Sequence, residues 1–501
     1  MTPTPPSLPP SLPPLPPPAL PRSVPATAAA YRMLWRWHFY AGLFVMPFLI
    51  VLAVTGTIYC FQPQIEPLLY PHLLRVKPAG QPLGADALLQ RARAAAPDGA
   101  VATTYAIPAR PDASTEFVFR LPSGHSDSVY LDPYSGEILG SLSVENRLMK
   151  QVRMIHRALL AGKPGELLME LAGCWTLVMI ATGLAMWWPR LRASGLRAWV
   201  RAPAAGKRGW WKELHLVLGA WLALGALAFV LSGLPWTASW GQQFKALATA
   251  ANLGRPAGGP GAQPPATPGA GHEGHEGHEG HEGHEGHTGH AGHAGRTMED
   301  LPLSELPWAT GKTRVPTGAG SGVPLGLERV VAIATARGAA TGCQVALPAT
   351  TDAVYTVSCF PSDPQGERTL HIDQHRGDVI RDLRFADYGA VAKAVSYGTA
   401  LHMGRYFGVA NQIVCAAISL GLMALATTGF IMWLRRRPAR ALGAPAYPAT
   451  LPPMRAWVIG LGLLGTIFPM MGLTMLAVWL LDKLVARGRG VPPAPSGQRL
   501  A

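Results

Sequence analysis

Four histidines fall in two matched frames, and imidazoles at fixed spacing beside apolar chain form a pattern suited to holding a metal. His38 lies 18 residues before Gly56, and His215 lies 18 before Gly233. Each of these glycines follows a hydroxyl residue, Thr55 or Ser232. His156 lies 27 residues before Gly183, and His402 lies 27 before Gly429. Both of those glycines sit in one string, Ala-Thr-Gly-x-x-Met-Trp or Thr-Thr-Gly-x-x-Met-Trp, ending at Trp187 and Trp433. A duplication that keeps its histidines in register suggests a membrane protein that holds haem.

An imidazole at membrane depth is costly unless it has a partner. Two imidazoles from different helices can take both axial positions of a haem iron, which leaves no open position and favours electron transfer over oxygen chemistry. His38 and His215 stand at the same mouth of the first and third apolar segments. His156 and His402 lie on amphipathic stretches before the second and fourth, at the other face. The expected cofactor-binding residues are therefore His38 with His215 and His156 with His402, and the expected cofactors are two haems of b type. No Cys-x-x-Cys-His string is present, so such haem is non-covalent. The glycines would let helices or a flat macrocycle approach closely. No residue is assigned a catalytic role.

A second ligand-rich segment runs from Gly271 to His293. It carries His272, His275, His278, His281, His284, His287, His290 and His293 at a period of three. Such tracts bind transition metals, since imidazole suits zinc, copper, nickel and iron. Nothing in a Gly-rich chain fixes geometry, so metal buffering is the expected role rather than catalysis. A low-complexity expansion without a role is the competing reading.

The elements that position these residues follow from the composition. The 501 residues are 49% hydrophobic and only 14% charged. Five segments reach the roughly 20 apolar residues that a membrane span needs. In the expected organisation a Pro-rich N-terminus (1–30) precedes the first span (31–62), a small domain (63–140), an interfacial helix (141–165) and the second span (166–188). A basic loop (189–212) leads to the third span (213–236) and a linker (237–325) that contains the tract 271–293. A second small domain (326–385), interfacial helix (386–408) and fourth span (409–434) follow. A loop (435–455), a fifth span (456–481) and a tail (482–501) complete the chain.

Short basic loops stay in the cytoplasm. The link from Pro189 to Lys212 and the link after Leu434 are rich in Arg and Lys, so the long regions 62–166 and 237–408 are expected outside, in the periplasm of a bacterial inner membrane. The net charge of +14 owes much to those loops and does not point to nucleic acid. A fifth span would leave the C-terminus outside, against the charge of Lys483, Arg487 and Arg489. Cys60, Cys174 and Cys415 fall in or beside spans and read as packing residues. Cys343 and Cys359 are symmetric about Thr351 in a strand-turn-strand and lie within disulfide reach if the register holds; two buried thiols are the alternative.

The soluble parts repeat as well. Val129-Tyr-Leu-Asp-Pro-Tyr-Ser-Gly-Glu-Ile-Leu139 aligns with Leu370-His-Ile-Asp-Gln-His-Arg-Gly-Asp-Val-Ile380. Asp132 or Asp373 opens a tight turn, and Gly136 or Gly377 supplies its positive φ. An Ala/Leu/Arg-rich helical stretch precedes each. The helix and strands ending in Tyr-Leu-Asp-Pro-Tyr-Ser-Gly-Glu-Ile resemble a PepSY domain. Two such domains woven between spans resemble the PepSY-associated transmembrane family, which includes iron-regulated inner-membrane proteins and ferric-siderophore reductases. The resemblance covers about residues 30–485. Gln374-His375 departs from it where the first copy has Pro133-Tyr134.

The expected fold is a membrane protein, an α-helical transmembrane bundle with two small α+β, PepSY-like extracytoplasmic domains and an internal tandem duplication. The resemblance implies haem ligation by the four histidines and a ferric-siderophore reductase type of oxidoreductase. The expected partners are the membrane, a ferric siderophore or other metal chelate as acceptor, and quinol or a separate reductase as electron donor. Two other readings stay open: a non-redox PepSY regulatory or binding protein of the membrane, and a copper- or nickel-handling membrane protein that works through its His tract.

Overall fold

The computed structural model describes residues 26–195, 197–200, 209–254, 296–339, 341–439, 442–445 and 454–488. The histidine tract from His272 to His293 and the first 25 residues lie outside the described residues. In chain order the helices are α1 (Ala26–Cys60), α2 (Gln62–Leu69), α3 (Pro71–Leu74), α4 (Ala85–Ala95), α5 (Leu148–Ala158), α6 (Gly162–Ser194) and α7 (Arg197–Val200), then α8 (Trp210–Gly233), α9 (Trp240–Ala250), α10 (Leu327–Ala336), α11 (Ala390–His402), α12 (Val409–Arg436), α13 (Arg455–Ile467) and α14 (Pro469–Gly488). The strands are β1 (Val101–Ala106), β2 (Thr115–Arg120), β3 (Ser126–Leu131), β4 (Ile138–Ser143), β5 (Gln344–Ala346), β6 (Val354–Cys359), β7 (Arg368–Asp373) and β8 (Val379–Arg384).

Near-continuous apolar runs make α1, α6, α12 and the helix from Trp210 to Trp236 long and apolar enough to cross a membrane. Their backbone polar groups are bonded within each helix, which hydrocarbon demands. They form one bundle in which α1 packs on α6 and α12, and α8 packs on α12 and α6. Small residues set the closest approach. A Cβ on Gly421 would lie 2.8 Å from Leu222, and one on Gly225 would lie 3.0 Å from Ile418, so α8 and α12 meet across those two glycines.

The eight strands form one antiparallel sheet in the order β4-β3-β2-β1-β5-β6-β7-β8. Each half is a four-strand meander. The halves join edge to edge where Thr104, Tyr105 and Ala106 pair with Ala346, Val345 and Gln344. Alternation puts Phe117, Phe119, Val129, Leu131, Val345, Val357, Leu370 and Ile372 in one core with Leu88 of α4 and Val330 of α10. Asp86 of α4 fastens the two helices by accepting from the backbone N–H of Leu327, at 2.7 Å, and of Glu328. The β3–β4 and β7–β8 turns match their sequences. Asp132 accepts from Tyr134 and Asp373 from His375 at 2.8 Å, and Gly136 and Gly377 have φ of 71° and 77°. Cys343 and Cys359 are disulfide-bonded.

The sheet stands at one end of the bundle, beside α5 and α11. Arg190, Arg192 and Arg435 to Arg437 mark the other, basic end. One expectation changes. Where the sequence suggests a single fifth span over 456–481, the chain bends at Phe468 and forms two helices, α13 and α14. Pro469 cannot donate to the preceding turn, and the Gly465 and Gly472 backbones come close enough for the helices to fold together. The bend sits at the sheet end, where Trp240 donates to the Ile467 carbonyl at 2.8 Å. Midway, Trp175 of α6 donates to Thr474 at 3.0 Å. At the basic end Asp482 pairs with Arg36 and accepts from Tyr40 of α1 at 2.6 Å. The start of α14 therefore lies at the sheet end and Lys483 at the basic end, which removes the conflict with the charge pattern.

Candidate functional site

The four framed histidines meet as two pairs. The rings of His38 and His215 have centroids 6.2 Å apart at the basic end, and those of His156 and His402 lie 6.4 Å apart at the sheet end. In both pairs the rings are near perpendicular, at 84°. Within α1 and within α8, His and Gly are 18 residues apart, which is about five turns at 3.6 residues per turn and about 27 Å of helix. Each helix thus carries both on one face, near opposite ends.

Helix direction then decides who meets whom. α1 and α6 run in opposite directions. Gly183 of α6 therefore faces His38 of α1, while Gly56 of α1 faces His156 of α5. A Cβ would lie 3.2 Å from His38 Cε1 at Gly183 and 3.3 Å from His156 Cε1 at Gly56. In the second half Gly429 faces His215 at 3.4 Å and Gly233 faces His402 at 3.6 Å. The glycines make room for an imidazole edge. Each serves the histidine of the neighbouring element, not the one that precedes it in the sequence frame.

The hydroxyl before each glycine has a job that spacing alone did not reveal. Nδ1 of His156 lies 2.9 Å from Thr55 Oγ1, and Nδ1 of His402 lies 2.9 Å from Ser232 Oγ. Nδ1 of His38 lies 3.1 Å from Thr182 Oγ1 and 3.2 Å from the Met179 carbonyl. Nδ1 of His215 lies 3.0 Å from Thr428 Oγ1 and 3.2 Å from the Leu425 carbonyl. Each hydroxyl already donates to a carbonyl of its own helix: Thr55 to Val51, Thr182 to Val178, Ser232 to Ala228 and Thr428 to Leu425. An oxygen that has spent its proton can only accept, and so can a carbonyl. Nδ1 must therefore carry the hydrogen, and Nε2 is left with its lone pair. A hydrogen-bonded Nδ1–H that fixes the tautomer and the ring is the arrangement that orients a metal-ligating histidine.

The electrostatics agree. Burial pushes His156 down to about 3, helped by His402 and Arg157, and pushes His402 down to about 4. Both are neutral near pH 7, the form that binds metal. The separations also suit one ion between two rings. A metal–nitrogen bond of about 2.0–2.1 Å plus about 1.1 Å from nitrogen to ring centre, on each side, gives about 6.3 Å. Among the described residues no group of three or more His, Cys, Asp or Glu could hold a metal ion. An ion held by two imidazoles would take its other ligands from elsewhere, as iron in a macrocycle does.

An ion pair stands near His402 at the sheet end. Arg405, three residues after His402, forks onto Glu305 with two contacts of 2.8 Å. Tyr59 of α1 donates to the same carboxylate at 3.3 Å. The Arg405 guanidinium holds the half-buried Glu305 carboxyl below the usual range, against the opposing effect of desolvation. Arg405 also lies over the Phe360 ring, 5.5 Å from its centre. Sequence reading missed Glu305 and Arg405, because their contact spans 100 positions. It also left the four hydroxyls without a role, although their position before each glycine was visible. The tract histidines from His272 to His293 lie outside the described residues.

No curated protein matches the chain. The pattern of the PepSY-associated TM region matches residues 35–436, which includes all four paired histidines, the sheet, α1 from Trp35 onward and the other three long apolar helices. The chain is a membrane protein that belongs to the PepSY-associated transmembrane family.

Proposed function

We propose that the protein is a di-haem electron-transfer protein of the bacterial inner membrane that reduces ferric chelates, such as ferric siderophores, at its sheet end, which faces the periplasm. The observation that carries this reading is the tautomer lock. Four partly buried imidazoles converge in two pairs with Nδ1 bonded and Nε2 left as a bare lone pair. His38 and His215 would hold one b-type haem, and His156 and His402 the other. Haem with two histidine ligands supplies one-electron transfer without an open coordination position. The protein's own part is to fix the rings, keep them neutral and place the two sites near opposite faces of the bundle.

Electrons enter at the basic end from quinol or a separate reductase and leave at the sheet end. The acceptor is Fe(III) held by oxygen donors. Gaining one electron gives Fe(II), a less highly charged and softer ion that such donors hold less tightly. The two four-strand halves, each with its own helix, support a tandem duplication of PepSY-like domains, which would present the chelate or a partner beside the outer pair. The His tract would bind transition metal ions on that side.

Visible spectra of the purified protein, oxidised and dithionite-reduced, test the reading together with haem content. The wild type should carry two haems per chain. Each of His38→Ala, His156→Ala, His215→Ala and His402→Ala should lose about one. Full haem content in all four, or none in the wild type, would overturn the assignment.

A further inference from the structure

Two cysteines that electron transfer leaves unused converge on the backbone of His402. Cys60 is the last residue of α1, and Cys415 lies in the second turn of α12. Sγ of Cys60 is 3.7 Å and Sγ of Cys415 is 3.8 Å from the same carbonyl oxygen, that of His402. Cys415 Sγ also lies 3.2 Å from the carbonyl of the preceding residue, Leu401, so both sulfurs crowd the last turn of α11 and are near neighbours of each other. Both residues are buried, at 6% and 3% exposure.

The backbone around them is tied down. Gln412 donates to the Cys60 carbonyl at 2.8 Å, and Asn411 donates to the Leu401 carbonyl at 3.0 Å. Asn411 also reaches Cys415 Sγ at 3.4 Å. A Cβ on Gly404 would lie 3.5 Å from the Cys60 Cβ, so the turn after His402 packs directly on this cysteine. Three helices, α1, α11 and α12, and the turn at Gly404 thus fix the backbone that carries the two sulfurs. They also lie at the sheet end, where Cys343 and Cys359 are already bridged. A bridged pair marks a compartment in which thiols oxidise. Cys174, the other unbridged cysteine, neighbours Trp175 midway along α6.

We propose that Cys60 and Cys415 are a second, oxidisable pair that closes to a disulfide and staples α1 to α12 beside His402. The oxidant is a small peroxide, able to reach buried sulfur. One thiol gives up its proton and attacks the peroxide O–O bond. Its sulfur keeps one oxygen as a sulfenic acid, and the other oxygen leaves with that proton as water. The second thiol then displaces the sulfenic oxygen as a second water, and the S–S bond forms. The two sulfurs lose two electrons in all, and the peroxide oxygens gain them. This proposal does not rest on the haem assignment.

The test uses the full chain in detergent. Protein treated with hydrogen peroxide is denatured, alkylated with N-ethylmaleimide, digested without reduction and analysed by mass spectrometry. The untreated, reduced pair leaves three alkylatable cysteines, Cys60, Cys174 and Cys415. After peroxide only Cys174 should be alkylated, and a cross-linked peptide should join Cys60 to Cys415. Cys60→Ser should abolish that peptide and keep Cys415 free of a cross-link. Cys415→Ser gives the mirror readout should Cys60→Ser fail to fold. Three alkylated cysteines after treatment, or oxidation of the two sulfurs to sulfinic acid without a cross-link, would overturn the proposal.

Discussion

His156 and Thr55 are 101 positions apart in the chain, and their side chains meet at 2.9 Å. The contact joins α5 to α1 and sets which ring nitrogen of His156 carries the hydrogen. Equivalent contacts serve His38, His215 and His402, so four hydroxyls define the chemistry of four imidazoles.

The first prediction removes one hydroxyl and keeps its shape. Thr55→Val leaves the His156 Nδ1–H without that acceptor. Loss of such a supporting partner typically costs about 10–100-fold in metal-site affinity. Haem titration of the apoprotein should show weaker binding at one site only. Two sites of unchanged affinity would mean that Thr55 does not orient the ligand.

A second prediction follows from the crossed glycines. Gly56→Val should push on His156, and Gly183→Val on His38, because the added carbons have ~3.3 Å or less to these rings. Gly56→Val should therefore lose the same haem as His156→Ala, and Gly183→Val the same haem as His38→Ala. Redox titration followed by visible absorption separates the two sites. The opposite match would show that each glycine serves the histidine of its own sequence frame.

Glu367 gives a pH dependence. It is buried and accepts from Ser396 of α11 at 3.0 Å. Burial pushes its carboxyl from 4.5 up to about 7. The folded state thus binds this proton more tightly than the unfolded state. Its stabilising contribution is whole below about pH 4.5 and is lost as pH rises through about 7, a change on the order of 3 kcal/mol. Glu367→Gln should raise the thermal midpoint at pH 8 and leave it nearly unchanged at pH 5. An equal shift at both pH values would exclude the carboxyl as the cause.

The disulfide between Cys343 and Cys359, 16 positions apart, closes the open end of the β5–β6 hairpin in the middle of the sheet. A loop of that size is worth about 3 kcal/mol. Cys359→Ser should lower the thermal midpoint of the sheet, and dithiothreitol should bring the wild type toward the variant. The thiol count fits the same scheme, because unreduced, denatured protein should withhold these two sulfurs from alkylation.

Topology is testable at the α13–α14 bend. A reporter fused after Val485 should give the same compartment as one fused after Arg192, because Asp482 pairs with Arg36 at the basic end. A reporter at Gly124, in the β2–β3 turn, should give the other. Agreement between Val485 and Gly124 would restore a single fifth span.

Much of this architecture was legible in the chain. Apolar runs gave the four long helices, alternation and Asp-x-x-x-Gly turns gave strands, and repeated spacing singled out His38, His156, His215 and His402. Period alone could not say which glycine meets which histidine. That depends on antiparallel packing, which places residues from different frames at one depth. The break at Phe468 was missed because hydropathy is continuous across it, and a single Pro469 inside an apolar run reads as a kink. Glu305 and Arg405 were missed because an ion pair between distant segments leaves no local signature.

The pairing of β1 with β5 has a consequence for how this chain can vary. Thr104, Tyr105 and Ala106 hydrogen-bond into Ala346, Val345 and Gln344, so the relative placement of the two half-sheets is fixed by a ladder. Residues 302–304 of the connecting segment brace the same joint, Pro302 accepting from Thr104 of β1 and Ser304 bonding with the Gln344 side chain of β5. The entropy of closing a loop grows only with the logarithm of its length, roughly 0.6 kcal/mol for each doubling. The stretch 255–295, which precedes those braces, can lengthen or shorten at little cost while the halves keep their register. A repeat of Gly-His-Glu units can thus be gained or lost by slippage during replication without disturbing either imidazole pair, and related chains are free to differ most in that segment.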